Sequence, residues 1–307
     1  MIRRFLPLVM LLLSFSRAWE GAPARARDIY VDNVAGDDTR IGMRDRHSAE
    51  FSGPVRTIGK ALRLATVEDR IILAKTGVPY RESISLVGGP HSGSPEQPFV
   101  LDGNDAILDG SAPLPAKVWE TYRGSIYRYR PKRLAYQQLF LAVRPLKFRP
   151  PLNSEGTLPP LEPLEWTLAG GHVYFRTEAE KLIDEYDLSA PVERVGLTLY
   201  NVHDVMITNL TVQGFQLDGV NAFDNVRDCT LISVTSRGNG RSGITVANCS
   251  HLRIIDALIG DNLYAQLYTE GLSVARVEVS DLLPQTAPAI IHRGREVLID
   301  GKWFSRR

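Results

Sequence analysis

The chain has 307 residues, 44% of them hydrophobic and 23% charged, enough for one large domain or two small ones, which excludes a disordered or collagenous polypeptide. With 36 Lys+Arg against 35 Asp+Glu the formal net charge is +1, so no global field draws nucleic acid or an anionic membrane. Two cysteines, Cys229 and Cys249, are too few for a disulfide scaffold and lack the paired spacing of a zinc site.

Residues 1–26 read as a secretory signal. Arg3 and Arg4 precede the apolar run FLPLVMLLLSF, and Ala22, Ala24 and Ala26 offer A-x-A cleavage sites. The run is too short for a mature span, which needs about 20 residues. The mature chain is expected to begin near Arg27 as a secreted, periplasmic or cell-surface monomer, with no membrane contact after cleavage.

Next along the chain, DIYVDNV at residues 28–34 alternates apolar and polar residues and predicts a strand ended by the polar run AGDD. From Thr57 the period changes. Ile58, Ala61, Leu62 and Ala65 fall on one face of a short helix that Thr57 can cap. The runs IILAK, SISLV, PFVLDG and AILDG then predict brief strands joined by Gly, Pro and Asp bends. Residues 119–191 are aromatic, Arg- and Pro-rich and poorly periodic; they read as an insertion carrying a small hairpin, HVYFRT included, without a hydrophobic core of its own.

From Gly196 a repeat of about two dozen residues emerges. Leu197, Val220, Ile244, Leu267 and Ile290 recur at gaps of 23, 24, 23 and 23, and Leu199, Ala222, Val246, Thr269 and His292 follow two residues later. A second column pairs Val205 with Ile207, Cys229 with Leu231, Leu252 with Ile254, Ala275 with Val277 and Val297 with Ile299. One such unit cannot bury its apolar face, whereas stacked units pair their strands in parallel around a continuous core. The fold class expected is all-β, a parallel β-helix. A leucine-rich horseshoe is disfavoured because its L-x-x-L-x-L-x-x-N pattern is absent.

The segments DIYVDNVAGDD, PVRTIGKALRLA and DRIILAKTGVPYRESI, followed by NVHDVMITNLTVQGF, LDGVNAFDNVRDCTLISVTSRGNG and SGITVANCSHLRIIDALIGDN, resemble secreted right-handed parallel β-helix proteins of the pectate-lyase-like superfamily. The resemblance implies a solenoid capped by the first strand and short helix. Residues 27–307 would form a single domain, with the insertion at 119–191 and five regular coils at 196–300. It also implies carbohydrate as the ligand class. It selects no reaction, because the superfamily holds lyases, glycoside hydrolases, epimerases, phage tailspikes and noncatalytic surface proteins. The expectation is an exported protein that binds polysaccharide and is a candidate for cleaving it as a lyase or glycosidase. The alternative is a noncatalytic surface or envelope protein with an adhesive or structural role.

Candidate site residues lie on the outward columns of the first strand of each coil and at its bends. A glycosidase needs two carboxyl groups, roughly 6.5 to 9.5 Å apart for inversion, and Asp218 with Asp224, or Asp224 with Glu270, are the pairs expected to approach that range. Arg241 completes the catalytic candidates; as a partner of Asp218 it would form a surface pair of little stabilising value. Asn221, Phe223, Tyr200, Tyr268 and Arg293 are the candidate sugar contacts, since aromatic faces stack on sugar rings, with Tyr264 near the same face. Neither column is a carboxylate ladder, so Ca²⁺ is not supported and no cofactor is expected. His292 reads as a hydrogen-bonded core histidine or a base, and Asn239 and Asn262 as bend residues.

Overall fold

The computed structural model describes residues 26–46, 51–142, 144–153 and 156–304; apart from Ala26, the leader expectation lies outside them. The chain is all-β with few helices, and its two largest sheets are mainly parallel. One has six strands, in the order Ile290–Arg293, Ala265–Glu270, Ser242–Val246, Asp218–Asp224, Leu197–Tyr200 and Ile84–Val87. Its register aligns Ile84, Leu197, Val220, Ile244, Leu267 and Ile290. The column anticipated from the repeat is therefore the pairing register.

The second sheet runs through Asp28–Val31, Arg70–Leu73, Phe99–Asp109, Val205–Gln213, Cys229–Ile232, His251–Ile255, Val274–Glu278 and Glu296–Ile299, closed by an antiparallel Lys302–Trp303. Leu231 pairs with Ile254, and Ile254 with Val277. Side chains from both sheets meet in one apolar cluster, among them Leu86, Leu199, Val220, Ile244, Ile207, Leu231 and Ile254. Each such fully buried side chain contributes about 2 kcal/mol.

Within this sheet the chain bends at Asn209, Ser233, Asp256 and Val279, whose φ values are 51°, 53°, 51° and 48°. Asn and Asp tolerate that left-handed region, which a β-branched residue such as Val279 strongly disfavours. At the other end of the chain, the helix Ile58–Leu64 buries Ile58, Ala61 and Leu62. Thr57 Oγ1 accepts from Lys60 N at 3.0 Å, while the Glu82 carboxylate accepts from Ile58 N and Gly59 N at 2.9 Å each. Two sources thus satisfy the first-turn donors.

Residues 119–191 correct the sequence reading, because they do carry a core of their own. Trp119, Tyr129, Leu139, Trp166, Val173, Phe175 and Leu188 form a separate cluster, four of them on a five-stranded sheet that includes Glu120–Arg123, Ile126–Tyr129, Glu165–Ala169 and His172–Arg176. The last two strands make a hairpin closed by Gly170 and Gly171, both at positive φ (52° and 78°), as a two-residue turn between twisted strands requires. Val173 then pairs with Tyr129, 44 residues earlier. Pairing across such unequal separations leaves no repeat to read.

Both cysteines are unbonded, Cys229 buried and Cys249 exposed. Cys229 pairs with Leu252 as the columns anticipate, and burial pushes its thiol up to about 12.

Candidate functional site

The site is built on the corner that leads into each strand of the six-stranded sheet. Asn239 and Asn262 are fully buried there and stack through their amides: Asn239 Oδ1 accepts from Phe215 N at 3.1 Å, and Asn262 Oδ1 accepts from Asn239 N at 2.9 Å and Asn239 Nδ2 at 3.0 Å. Asn262 Nδ2 donates in turn to Gln266 Oε1 at 2.8 Å. Their structural role as bend residues is thereby explained, since unpaired amides at this depth would be costly. Gly219 must lack a side chain, because a Cβ on it would lie 2.2 Å from Ser236 Oγ. These constraints fix the chain on either side of Asp218 and Arg241.

Asp218 is completely buried. Its carboxylate accepts from Arg241 Nε (2.8 Å) and Arg241 Nη2, from Ser242 Oγ (2.7 Å) and from Asn221 Nδ2 (3.2 Å). The expected surface pair is thus a buried, bidentate one, and Asp218 holds Arg241 more firmly protonated than usual. Both Asp218 oxygens are thus engaged by a guanidinium and two further donors. Asn221 Oδ1 is left buried without a partner among the described residues.

Arg241 also lies over the Tyr268 ring, with Cζ 5.8 Å from the centroid, and Arg293 does the same at 6.0 Å. The Tyr268 hydroxyl donates to Glu270 Oε2 at 3.0 Å; burial first, then this bond, pushes the phenol up. Tyr268 is only 6% exposed, so it is the floor of the site rather than a stacking platform. The accessible aromatics are its neighbour Tyr264, 6.1 Å away edge-on, and Tyr136, 6.3 Å from Tyr264.

Tyr136 comes from the inserted segment and could not be singled out from the sequence, where it sits in an irregular stretch with no register to place it. Gln216 Nε2 donates to Ala135 O at 2.7 Å and Gln138 Nε2 to Asp261 O at 3.3 Å. These bonds seat the segment beside the corner. Tyr136, Gln137, Phe148, Trp166, Gly240 and Tyr264 line a cleft of about 220 Å³ between the two parts.

Asp218, Asn221, Arg241, Tyr268, Glu270 and Arg293 are therefore connected. Among the described residues no hydrogen bond or ring contact links Asp224, Phe223 and Tyr200 to them; Phe223 stands two strands, and Tyr200 three, from Glu270 in the same sheet, with their half-exposed rings 6.0 Å apart. The expected Asp218 with Asp224 pair is corrected by strand geometry, since six residues of strand span about 20 Å, far beyond the inverting range. Asp224 and Glu270 stand two strands apart, about 9.6 Å, already at the limit of that range. His292 shares a 2.7 Å hydrogen bond with Thr269 Oγ1 through Nδ1, in keeping with a partly buried structural histidine. Among the described residues no group of three His, Cys, Asp or Glu side chains is placed to hold a metal ion, and two guanidiniums beside Glu270 do not suit the all-oxygen donor set of Ca²⁺.

No family model matches the chain, and no curated protein matches it in sequence. Among solved structures, one described as "Glycoside hydrolase" superposes with a TM-score of 0.60 at 10% identity, covering 83% of this chain and 73% of its own. Another, "The complex structure of XylC with xylose", has a TM-score of 0.43 at 11% identity over 85% of this chain and 66% of its own. A lacto-N-biosidase from Eubacterium ramulus gives 0.23 at 11%, over 89% and 68%. The first likeness establishes a shared, mostly-β fold and no activity.

Proposed function

We propose that the protein is an exported right-handed parallel β-helix that binds a glycan along the outward face of the six-stranded sheet. From Leu197 onward each strand of the six-stranded sheet is followed by one or two strands of the larger sheet before the chain returns, and parallel crossovers are right-handed in about 98% of cases. The observation that carries the functional reading is the linked group of Tyr136, Tyr264, Tyr268, Arg241 and Glu270, walled on one side by the inserted segment. Sugars present an apolar face and a polar edge. Partly exposed tyrosines beside a fixed guanidinium and a carboxylate answer both. The likeness in fold to a glycoside hydrolase supports carbohydrate as the ligand class.

Cleavage is a second reading, and it rests on Glu270, which is only partly buried and has a hydrogen bond from Tyr268. The test is a panel of neutral and acidic polysaccharides, read by affinity electrophoresis for binding, by reducing ends for hydrolysis and by ultraviolet absorbance of unsaturated ends for elimination. Retardation by at least one glycan is expected. A folded protein that no glycan retards would overturn the reading; binding without either product would assign the noncatalytic, adhesive role.

A further inference from the structure

We propose that the other large sheet carries a second binding site, for an oxyanion group such as a carboxylate or sulfate ester, centred on Arg276. The site is independent of the glycan face, being built on different strands. The pairing of Cys229–Ile232, His251–Ile255 and Val274–Glu278 aligns Thr230, Arg253 and Arg276 in one outward column. With Asp228 and His251 they line a groove of about 360 Å³.

The column contains an electrostatic cost. Two guanidiniums in register on neighbouring strands repel each other, a pairing that destabilises a sheet unless something offsets it. For Arg253 the offset is Glu278: Nε donates to Glu278 Oε1 at 2.9 Å and Nη2 to Oε2 at 2.7 Å. Glu278 also feels the charge of Arg276, but its fork is taken by Arg253. The Arg276 side chain is exposed and, among the described residues, has neither an ion pair nor a hydrogen bond.

A planar guanidinium has five N–H donors suited to bidentate capture of carboxylate or sulfate. Those of Arg276 are open to the groove, and Arg253 retains the donors that Glu278 does not use. Thr230 adds a hydroxyl and His251 an imidazole, while Asp228 places one carboxylate in the same lining. An oxyanion bridging the two arginines would remove the repulsion that the sheet otherwise carries.

The experiment titrates the protein at constant ionic strength with sodium sulfate, with an oligogalacturonate and with a neutral xylo-oligosaccharide, following arginine Nε–Hε resonances by NMR. The expected result is a saturable shift of the Arg276 signal with at least one anion and none with the neutral sugar. In Arg276→Gln, whose thermal midpoint should equal or slightly exceed the parent's because the repulsion with Arg253 is removed, the dissociation constant should rise about tenfold or more. Binding of both anions assigns the site to the oxyanion itself, and binding of the uronate alone assigns it to an acidic sugar. No saturable shift with either anion, or an equal response in Arg276→Gln, overturns the proposal.

Discussion

Arg241 reaches across one strand spacing to clasp Asp218 with both Nε and Nη2, and the same guanidinium lies over the ring of Tyr268. One cation thereby ties a buried carboxylate to the floor of the candidate site. Breaking such a pair from one side strands a charge in the interior. Asp218→Asn is expected to cost about 3 kcal/mol in urea unfolding; a loss below about 1 kcal/mol would reduce the contact to the worth of an exposed pair.

The stacked columns make a sharper contrast between neighbours. Ile254 is fully buried between Leu231 and Val277, so Ile254→Asp should cost several kcal/mol and abolish cooperative unfolding. Arg253, one residue earlier, points to water and has only its exposed pair with Glu278. Arg253→Asp should cost about 1 kcal/mol or less. Equal shifts of the two thermal midpoints would refute the inward and outward assignment.

If a glycan occupies the first face, its rings meet Tyr264 and Tyr136 rather than the covered Tyr268. Tyr264→Ala and Tyr136→Ala should each weaken binding by about 1 kcal/mol, by analogy with aromatic contacts generally. Asp224→Asn, two strands from Glu270 and bonded to none of the connected group, should leave affinity unchanged. Isothermal titration with whichever polysaccharide is retained in the panel decides this, and an effect of Asp224→Asn alone would move the site to the strands that carry Tyr200 and Phe223.

How much of this was legible in the sequence follows from which residues repeat. Val220, Ile244 and Leu267 recur at nearly equal spacing and pair in register on neighbouring parallel strands, so register and core could be read directly. Asp218 was placed on the right strand, yet its burial was hidden: it depends on Arg241, Ser242 and Asn221 closing around it and on glycines that let the corner tighten. The core formed by Trp119, Trp166 and Phe175 was invisible because its partners come from antiparallel strands at unequal separations. Tyr136 was missed for a related reason, since a loop residue acquires its neighbours only when the inserted segment docks.

That inserted sheet is expected to be sensitive to acid. The almost fully buried Glu165 side chain accepts from Arg149 Nε at 2.7 Å and from Glu162 N at 3.0 Å, with Lys147 Nζ 3.0 Å away. The Arg149 bond is the largest cause that holds its carboxyl down, to about 2 against an ordinary 4.5. A depressed carboxyl stabilises the folded state above its unfolded value and loses that contribution as pH falls through the folded one. The near-ultraviolet circular dichroism of Trp119 and Trp166 should therefore begin to weaken below pH 4.5 and fall further toward pH 2. Glu165→Gln should flatten that slope, and an unchanged profile would place the acid-labile group elsewhere.

The bend column offers a gain rather than a loss. Asn209, Ser233, Asp256 and Val279 occupy equivalent bends at positive φ, and three of the four are small polar residues that the left-handed region accepts. Val279 is the exception, a β-branched side chain 76% exposed at φ 48°; its backbone N–H donates to Asp300 Oδ1 at 2.9 Å, a bond that any residue except proline would keep. No buried contact is lost on replacing it. Val279→Asn should then raise stability by about 1 kcal/mol through relief of backbone strain, whereas Val279→Thr, still β-branched, should give almost nothing. Urea unfolding of the two variants separates strain from polarity, because a gain of equal size in both would show that exposing a polar side chain, and not the left-handed backbone, is what matters at this bend.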